Sequence, residues 1–149
     1  MKASPVRRDE RGSALVEFTW LGILLMVPLV YLVLSVFEVQ RGAFAVSAAA
    51  RSAARAYSLA ESDEAGRRAA QQVIDAALAD QHLDPGSASF ELSCTPDPHA
   101  CLQPGSIITV TVRTQVDLPL LPDALGGNKP SFRLDATQQV PFGTYREGP

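Results

Sequence analysis

The run FTWLGILLMVPLVYLVLSVF, Phe18–Phe37, is the longest uncharged run in this sequence and sets the architecture of the chain. It has twenty residues without a charge, and 13 of them are Leu, Ile, Val or Phe. A helix rises about 1.5 Å per residue, so this length matches the roughly 30 Å hydrocarbon core of a bilayer. At about −0.4 kcal/mol each, the apolar residues contribute roughly −5 kcal/mol to insertion. The sequence therefore predicts one transmembrane helix, over 13–37.

One carboxylate, that of Glu17, lies directly before this run. A charge at the bilayer centre costs about 3 kcal/mol and less near the edge, so insertion is favoured with Glu17 included. A charged residue in a span is a functional-site hypothesis by default. The alternative is that Glu17 lies in the headgroup layer and only marks the boundary of the span.

The order Gly12-Ser13-Ala14-Leu15-Val16-Glu17-Phe18 resembles the class III signal of type IV pilin-like proteins. It looks most like that of the TadE-like pseudopilins, minor components of tight-adherence (Flp-type) pilus machines. The close part of the resemblance, Arg11 to Phe37, is under a fifth of the chain, and the rest agrees in layout only. The resemblance implies a prepilin peptidase cut after Gly12, which would make Ser13 the first residue and Glu17 the fifth.

The resemblance also implies a role for Glu17 and the adjoining Phe18 in assembly. The new amino terminus at Ser13 would be positively charged near the membrane edge, and Glu17 of a neighbouring subunit could pair with it. Pairing relieves the cost of a buried charge and would favour one helix register between subunits. The implied partners are the prepilin peptidase, other pilins or pseudopilins, and the pilus assembly platform.

The charges around the span predict its orientation. The basic residues before it are Lys2, Arg7, Arg8 and Arg11. By the positive-inside rule this short tail stays in the cytoplasm, so 1–12 is expected to be a cytoplasmic leader and the C-terminal part to be exported. An ordinary secretory signal peptide is a poorer interpretation, because its apolar core has about 7–15 residues. We therefore expect a cell-membrane protein with a single span.

Beyond the span, 38–60 is predicted to continue the helix, because the segment is rich in alanine. Pro28 removes one backbone bond within the span and predicts a kink there. Small residues recur three and four positions apart at Gly42, Ala45, Ala49, Ala53 and Ala56. This stripe is either a packing surface, as small-xxx-small patterns often are, or simply helix-forming filler.

A second helix is expected after the acidic segment 61–64, with Ser62 or Asp63 as its N-cap. It should end near His82, before the turn signal Asp84-Pro85-Gly86. One apolar stripe at helical spacing supports it and consists of Ala65, Ala69, Ala70, Val73, Ile74, Ala77 and Leu78.

Strand patterns follow from Ser87 onward. Apolar residues alternate at 108, 110, 112 and 116 within Ile107 to Val116, and Ser89 to Cys94 and Phe132 to Val140 are further candidate strands. Leu118 to Asn128 has two prolines and two adjacent glycines and is predicted to be a loop. The expected fold is α+β and pilin-like, with a small antiparallel sheet in an exported domain at 61–149.

Cys94 and Cys101 are the only cysteines and flank a short turn-rich segment. In an exported domain they are expected to form a disulfide, which would stabilise the fold by roughly 2.5 kcal/mol in the chain-entropy model. The alternative is a metal site of Cys94, His99 and Cys101, with Asp97 as a further ligand. That spacing does not match the usual zinc motifs, so no metal is expected.

No catalytic constellation, nucleophile elbow or phosphate-binding glycine loop is present, so neither an enzyme nor a cofactor is predicted. The net charge of −3 and the lack of a basic cluster argue against direct nucleic-acid binding. Two function classes remain. One is a minor pilin or pseudopilin that takes part in pilus assembly, in adhesion or secretion. The other is an uncleaved single-pass protein whose exported domain binds a ligand or partner.

Overall fold

The computed structural model describes residues 11–117 and 131–143, and of residues 11–13 it describes the backbone alone. The chain has an α+β fold with a long apolar N-terminal helix, a second helix and a three-stranded antiparallel sheet. The elements in chain order are α1 (Arg11–Ser58), α2 (Asp63–Ala79), β1 (Ser89–Thr95), β2 (Ile107–Asp117) and β3 (Ser131–Pro141). The predicted fold class is confirmed. The predicted loop Leu118 to Asn128 lies outside the described residues, as does most of the predicted leader.

The chain divides into two compact units between Val36 and Phe37. The second unit contains the last 22 residues of α1, from Phe37 to Ser58, together with α2 and the sheet. The segment 38–60 is therefore part of the folded domain, and the domain does not begin at residue 61. Its alanine-rich face contributes more buried residues to the core than α2 does.

The small residues of α1 pack within the chain. Gly42, Ala45, Ala49 and Ala53 are buried, whereas Ala56 is only half-buried and lies at the margin of this face. At Gly42 the helix approaches the sheet so closely that a Cβ atom would lie 2.6 Å from Val116 Cγ2. The packing interpretation of the stripe is thus correct, and the surface that it packs on belongs to the same chain.

The second helix begins with a capped turn. Ser62 is the N-cap and its hydroxyl accepts a hydrogen bond from Ala65 N at 3.3 Å. The predicted stripe is present, with its centre at Ala70, Ile74 and Leu78 fully buried. α2 ends at Ala79, three residues before the expected end, because the chain turns there and Leu83 N bonds back to Leu78 O at 3.0 Å.

The sheet is a meander in the order β1-β2-β3. Val112 of the central strand lies opposite Phe90 of β1 and Ala136 of β3. Even-numbered residues of β2 are buried against the helices and odd-numbered residues face outward, as the period-two pattern predicts. β3 is covered less well than β2, since its even-numbered residues from 134 to 140 are only half-buried.

Gly66 is where α2 meets the Tyr57 ring. A Cβ atom at Gly66 would lie 2.7 Å from Tyr57 Cδ2 and 3.3 Å from Ala60 Cβ. Alanine is about 1 kcal/mol better than glycine in a helix, but overpacking typically costs about 1–3 kcal/mol, and the fully buried ring has little room to move. We expect Gly66→Ala to lower the free energy of unfolding by about 1 kcal/mol in hydrogen-exchange measurements. In a chain that already carries Tyr57→Ala, Gly66→Ala should instead raise the free energy of unfolding. A lower free energy of unfolding in that double variant would show that the Tyr57 ring is not what crowds position 66.

Candidate functional site

The part of α1 in the first unit, residues 14–36, presents its side chains outward on all sides. Phe18 is 77 % exposed and Trp20 66 %, and of these residues only Tyr31 and Ser35 are half-buried. A helix that is apolar all round is typical of a membrane span. By length and composition this helix is long and apolar enough to cross a membrane.

Two side-chain hydroxyls of this segment form hydrogen bonds within the helix. Thr19 Oγ1 donates to Leu15 O at 2.8 Å, and Ser35 Oγ donates to Tyr31 O at 2.9 Å. Such bonds to the carbonyl four residues back hide a hydroxyl from hydrocarbon. α1 also continues through Pro28.

Glu17 is the one charged residue between positions 14 and 36. Its side chain is exposed, and within residues 14–117 and 131–143 it has no hydrogen-bond or ion-pair partner. Ala14, Leu21 and Leu24 line the same shallow depression, so the carboxylate lies on an apolar face. Glu38, at the other end of the charge-free run, differs because it forms an ion pair with Arg41.

The predicted processing bond, Gly12–Ser13, lies close to Arg11, the first described residue of α1. Ser13 and Glu17 are four residues apart, about 6 Å along the axis of a helix and on one face. The structure thus places four of the predicted site residues, Gly12, Ser13, Glu17 and Phe18, within the first turns of one helix.

The two cysteines form the predicted disulfide. Cys94 and Cys101 are bonded, with their Cα atoms 5.3 Å apart, and both are buried. Their sulfur atoms are therefore unavailable to the alternative metal site with His99 and Asp97. Among the described residues, no group of three or more His, Cys, Asp or Glu side chains could hold a metal ion.

A polar chain at the junction of α1 and α2 is a feature that the sequence analysis missed. Tyr57 donates its hydroxyl to Asp63 Oδ1, and Arg67 Nε donates to Asp63 Oδ2 at 2.8 Å. Burial, and then the bond to Asp63, raise the pKa of Tyr57 above its usual range. The bonds from Tyr57 and Arg67 lower the pKa of Asp63. The four-residue spacing of Asp63 and Arg67 was a visible signal, but the contact with Tyr57 was not.

This polar chain predicts how stability depends on pH. Folding lowers the pKa of the Asp63 carboxyl. The ionised carboxylate therefore stabilises the fold above about pH 4, the pKa of aspartate in the unfolded chain, and this contribution is lost as the pH falls below that value. Because the folded state raises the pKa of Tyr57, stability also falls above about pH 10, where only the unfolded chain ionises. We expect the free energy of unfolding, measured by hydrogen exchange, to depend less on pH at the acid end in Asp63→Asn. In Tyr57→Phe it should depend less on pH at the alkaline end. An unchanged pH dependence in both variants would contradict this assignment.

Comparison of the chain with protein-family models, with curated proteins and with solved structures finds no match. The chain's own features are therefore what indicate its function. These are an apolar helix of membrane-spanning length, an unpartnered carboxylate near its start, and a disulfide-linked α+β domain after it.

Proposed function

We propose that this chain is a TadE-like pseudopilin that is processed after Gly12 and takes part in assembly of a tight-adherence type IV pilus. In this proposal the mature chain begins at Ser13 and crosses the cell membrane once. Its amino terminus lies toward the cytoplasm and its domain outside. Its partners are the prepilin peptidase, other pilins or pseudopilins, and the assembly platform.

The observation that carries the proposal is the unpartnered Glu17. The hydroxyls of Thr19 and Ser35 are satisfied inside the helix, so their burial in lipid requires no other molecule. The Glu17 carboxylate has no partner among the described residues and shares a shallow depression with apolar side chains. An ionised carboxylate is expensive in a low-dielectric setting unless it is paired. A positively charged partner from outside this chain would remove that cost.

The amino terminus that cleavage creates is such a partner. It is cationic at neutral pH, it lies at the same depth as Glu17 to within about one helical turn, and every copy carries one. Pairing of Glu17 with Ser13 of a neighbour would fix the axial offset between two helices. Glu17 then acts as an assembly and register residue, and Phe18 adds apolar contact beside it.

The amino-terminal sequence of the protein from its native membrane tests processing directly. We expect the sequence to start at Ser13. Gly12→Val should block the cut and leave the full-length chain, whereas Gly22→Ala should be cut normally, since a Cβ atom at Gly22 would meet nothing within 4 Å. A native start at Met1 would overturn the proposal and favour an uncleaved anchor whose domain binds a ligand or partner.

Glu17→Ala tests the assembly role separately. Loss of one partner of a buried ion pair costs about 3–5 kcal/mol, so incorporation into pilus complexes should fall at least tenfold while membrane insertion is kept. Glu17→Gln keeps the shape without the charge and should fail equally. Glu38→Ala is the matched control, because that glutamate already pairs with Arg41. Normal incorporation of the Glu17 variants, measured by co-purification from membranes, would contradict this role.

A further inference from the structure

We propose that the free edge of β3 is a docking surface for a second copy of this chain, joined strand to strand in antiparallel fashion about Leu134. β3 is the last strand of the sheet, and its other side pairs with β2 along all eleven residues from Ser131 to Pro141. Among the described residues nothing pairs with its outer edge. A long edge strand is a ready template for another strand.

The side chains of β3 show an apolar surface that the fold leaves partly uncovered. Phe132 lies opposite Val116, on the face that packs against the helices, yet it is 52 % exposed. Leu134 and Ala136 on the same face are half-buried. A strand added beside β3 would extend this face and cover Phe132.

The charges of β3 favour another copy of β3 as that strand. Arg133 and Asp135 point to the outer face of the sheet, both are exposed, and neither forms an ion pair within the described part of the chain. In an antiparallel pair centred on Leu134, Arg133 of each copy lies opposite Asp135 of the other. Opposite charges placed directly across a sheet attract, and the pair would form twice.

Other registers lack this complementarity. Opposed residues must lie on one face, so the centre can move only by whole residues along the strand. Centring on Arg133 or on Asp135 sets like charges against each other, and centring on Ala136 sets Arg133 against Gln139. The register about Leu134 also places the large Phe132 opposite the small Ala136 on the inner face. The register about Leu134 therefore pairs opposite charges on the outer face and a large with a small side chain on the inner face.

Cysteine crosslinking of the full chain in mild detergent tests this register. Ser131 and Thr137 would face each other across the two copies at a Cα separation of about 5 Å, within reach of a disulfide. A copy with Ser131→Cys and a differently tagged copy with Thr137→Cys should give a reducible dimer that carries both tags. Ser131→Cys with Gln139→Cys is the matched control, about 7 Å out of register along the strand, and should give at least tenfold less.

Charge reversal gives a second, independent test. Arg133→Asp alone would set Asp against Asp in both pairs, and Asp135→Arg alone would set Arg against Arg. Each variant should therefore dimerise at least tenfold more weakly than the native chain. In a mixture of the two variants every pair is again of opposite charge, so mixed dimers should form. Because mixing restores binding, this design also shows that both variants are folded.

The crosslinking and charge-reversal experiments test the pairing of two β3 strands and do not depend on the amino-terminal motif. Equal crosslinking in both cysteine combinations, no crosslinking in the first, or dimers unaffected by either charge reversal would overturn it. A chain that stays monomeric alone and pairs only with a different protein would also overturn it. Glu17→Ala should leave the crosslink unchanged, so failure here and failure of the pilus proposal are distinguishable.

Discussion

Replacement of Tyr57 by alanine is expected to lower the free energy of unfolding of the domain by about 3–5 kcal/mol. Among the described residues Tyr57 is the largest side chain that is fully buried, and loss of a large aromatic from a core typically has this effect. The variant also loses the bond to Asp63 and the contact between its ring and Gly66. A small domain has a free energy of unfolding of about 5–15 kcal/mol in total, so this loss would remove a large share of it.

Hydrogen exchange of β2 amides in the full chain measures this loss, because amides of a central strand report global opening. We expect exchange to be at least about a hundredfold faster, since 1.4 kcal/mol corresponds to a factor of ten. Phe44→Ala is the matched control. Phe44 belongs to the same helix but is 76 % exposed, so its loss should change little. Equal effects of the two substitutions would show that Tyr57 does not anchor the core.

Removal of the disulfide is expected to have the second-largest effect. The bond closes a loop of eight residues from Cys94 to Cys101, and the chain-entropy model gives roughly 2.5 kcal/mol for a loop of that size. Both half-cystines are buried beside Leu102 in the core, so the Cys94→Ala, Cys101→Ala double variant also leaves a small gap. We expect a loss of about 3 kcal/mol for the double variant.

A reducing agent separates the stability that the disulfide bond contributes from the stability that packing of the two cysteine side chains contributes. Under reducing conditions the native protein should approach the double variant in its β2 exchange rates, whereas the double variant should not respond to the reagent. If the native chain is unaffected after mass measurement has shown both thiols to be free, the disulfide contributes little. In that case the hydrogen bonds that hold the far side of the loop, such as Ser106 Oγ to Ala100 O at 2.9 Å, carry its conformation.

The elements that depend on short-range patterns could be predicted from the amino-acid sequence alone. The length of the charge-free run predicts the first helix, since a membrane-spanning helix must match the thickness of the hydrocarbon core. The stripe centred on Ile74 and the capping residue Ser62 predict α2, and the alternation around Val110 predicts β2. The disulfide was predictable too, because two cysteines offer only one pairing. The signal at Gly12 and Glu17 is equally local, and it remains a prediction.

The features that join residues distant in sequence became apparent only in the folded structure. The alanine stripe was visible, but that it packs on the sheet of the same chain follows from the approach of Gly42 to Val116. The bond from Tyr57 to Asp63 depends on the short connection between the two helices. The incomplete cover of β3 depends on the strand order, because helices centred over β2 leave an edge strand partly bare. Sequence periodicity shows which face of an element is apolar, whereas its burial depends on which other elements reach that face.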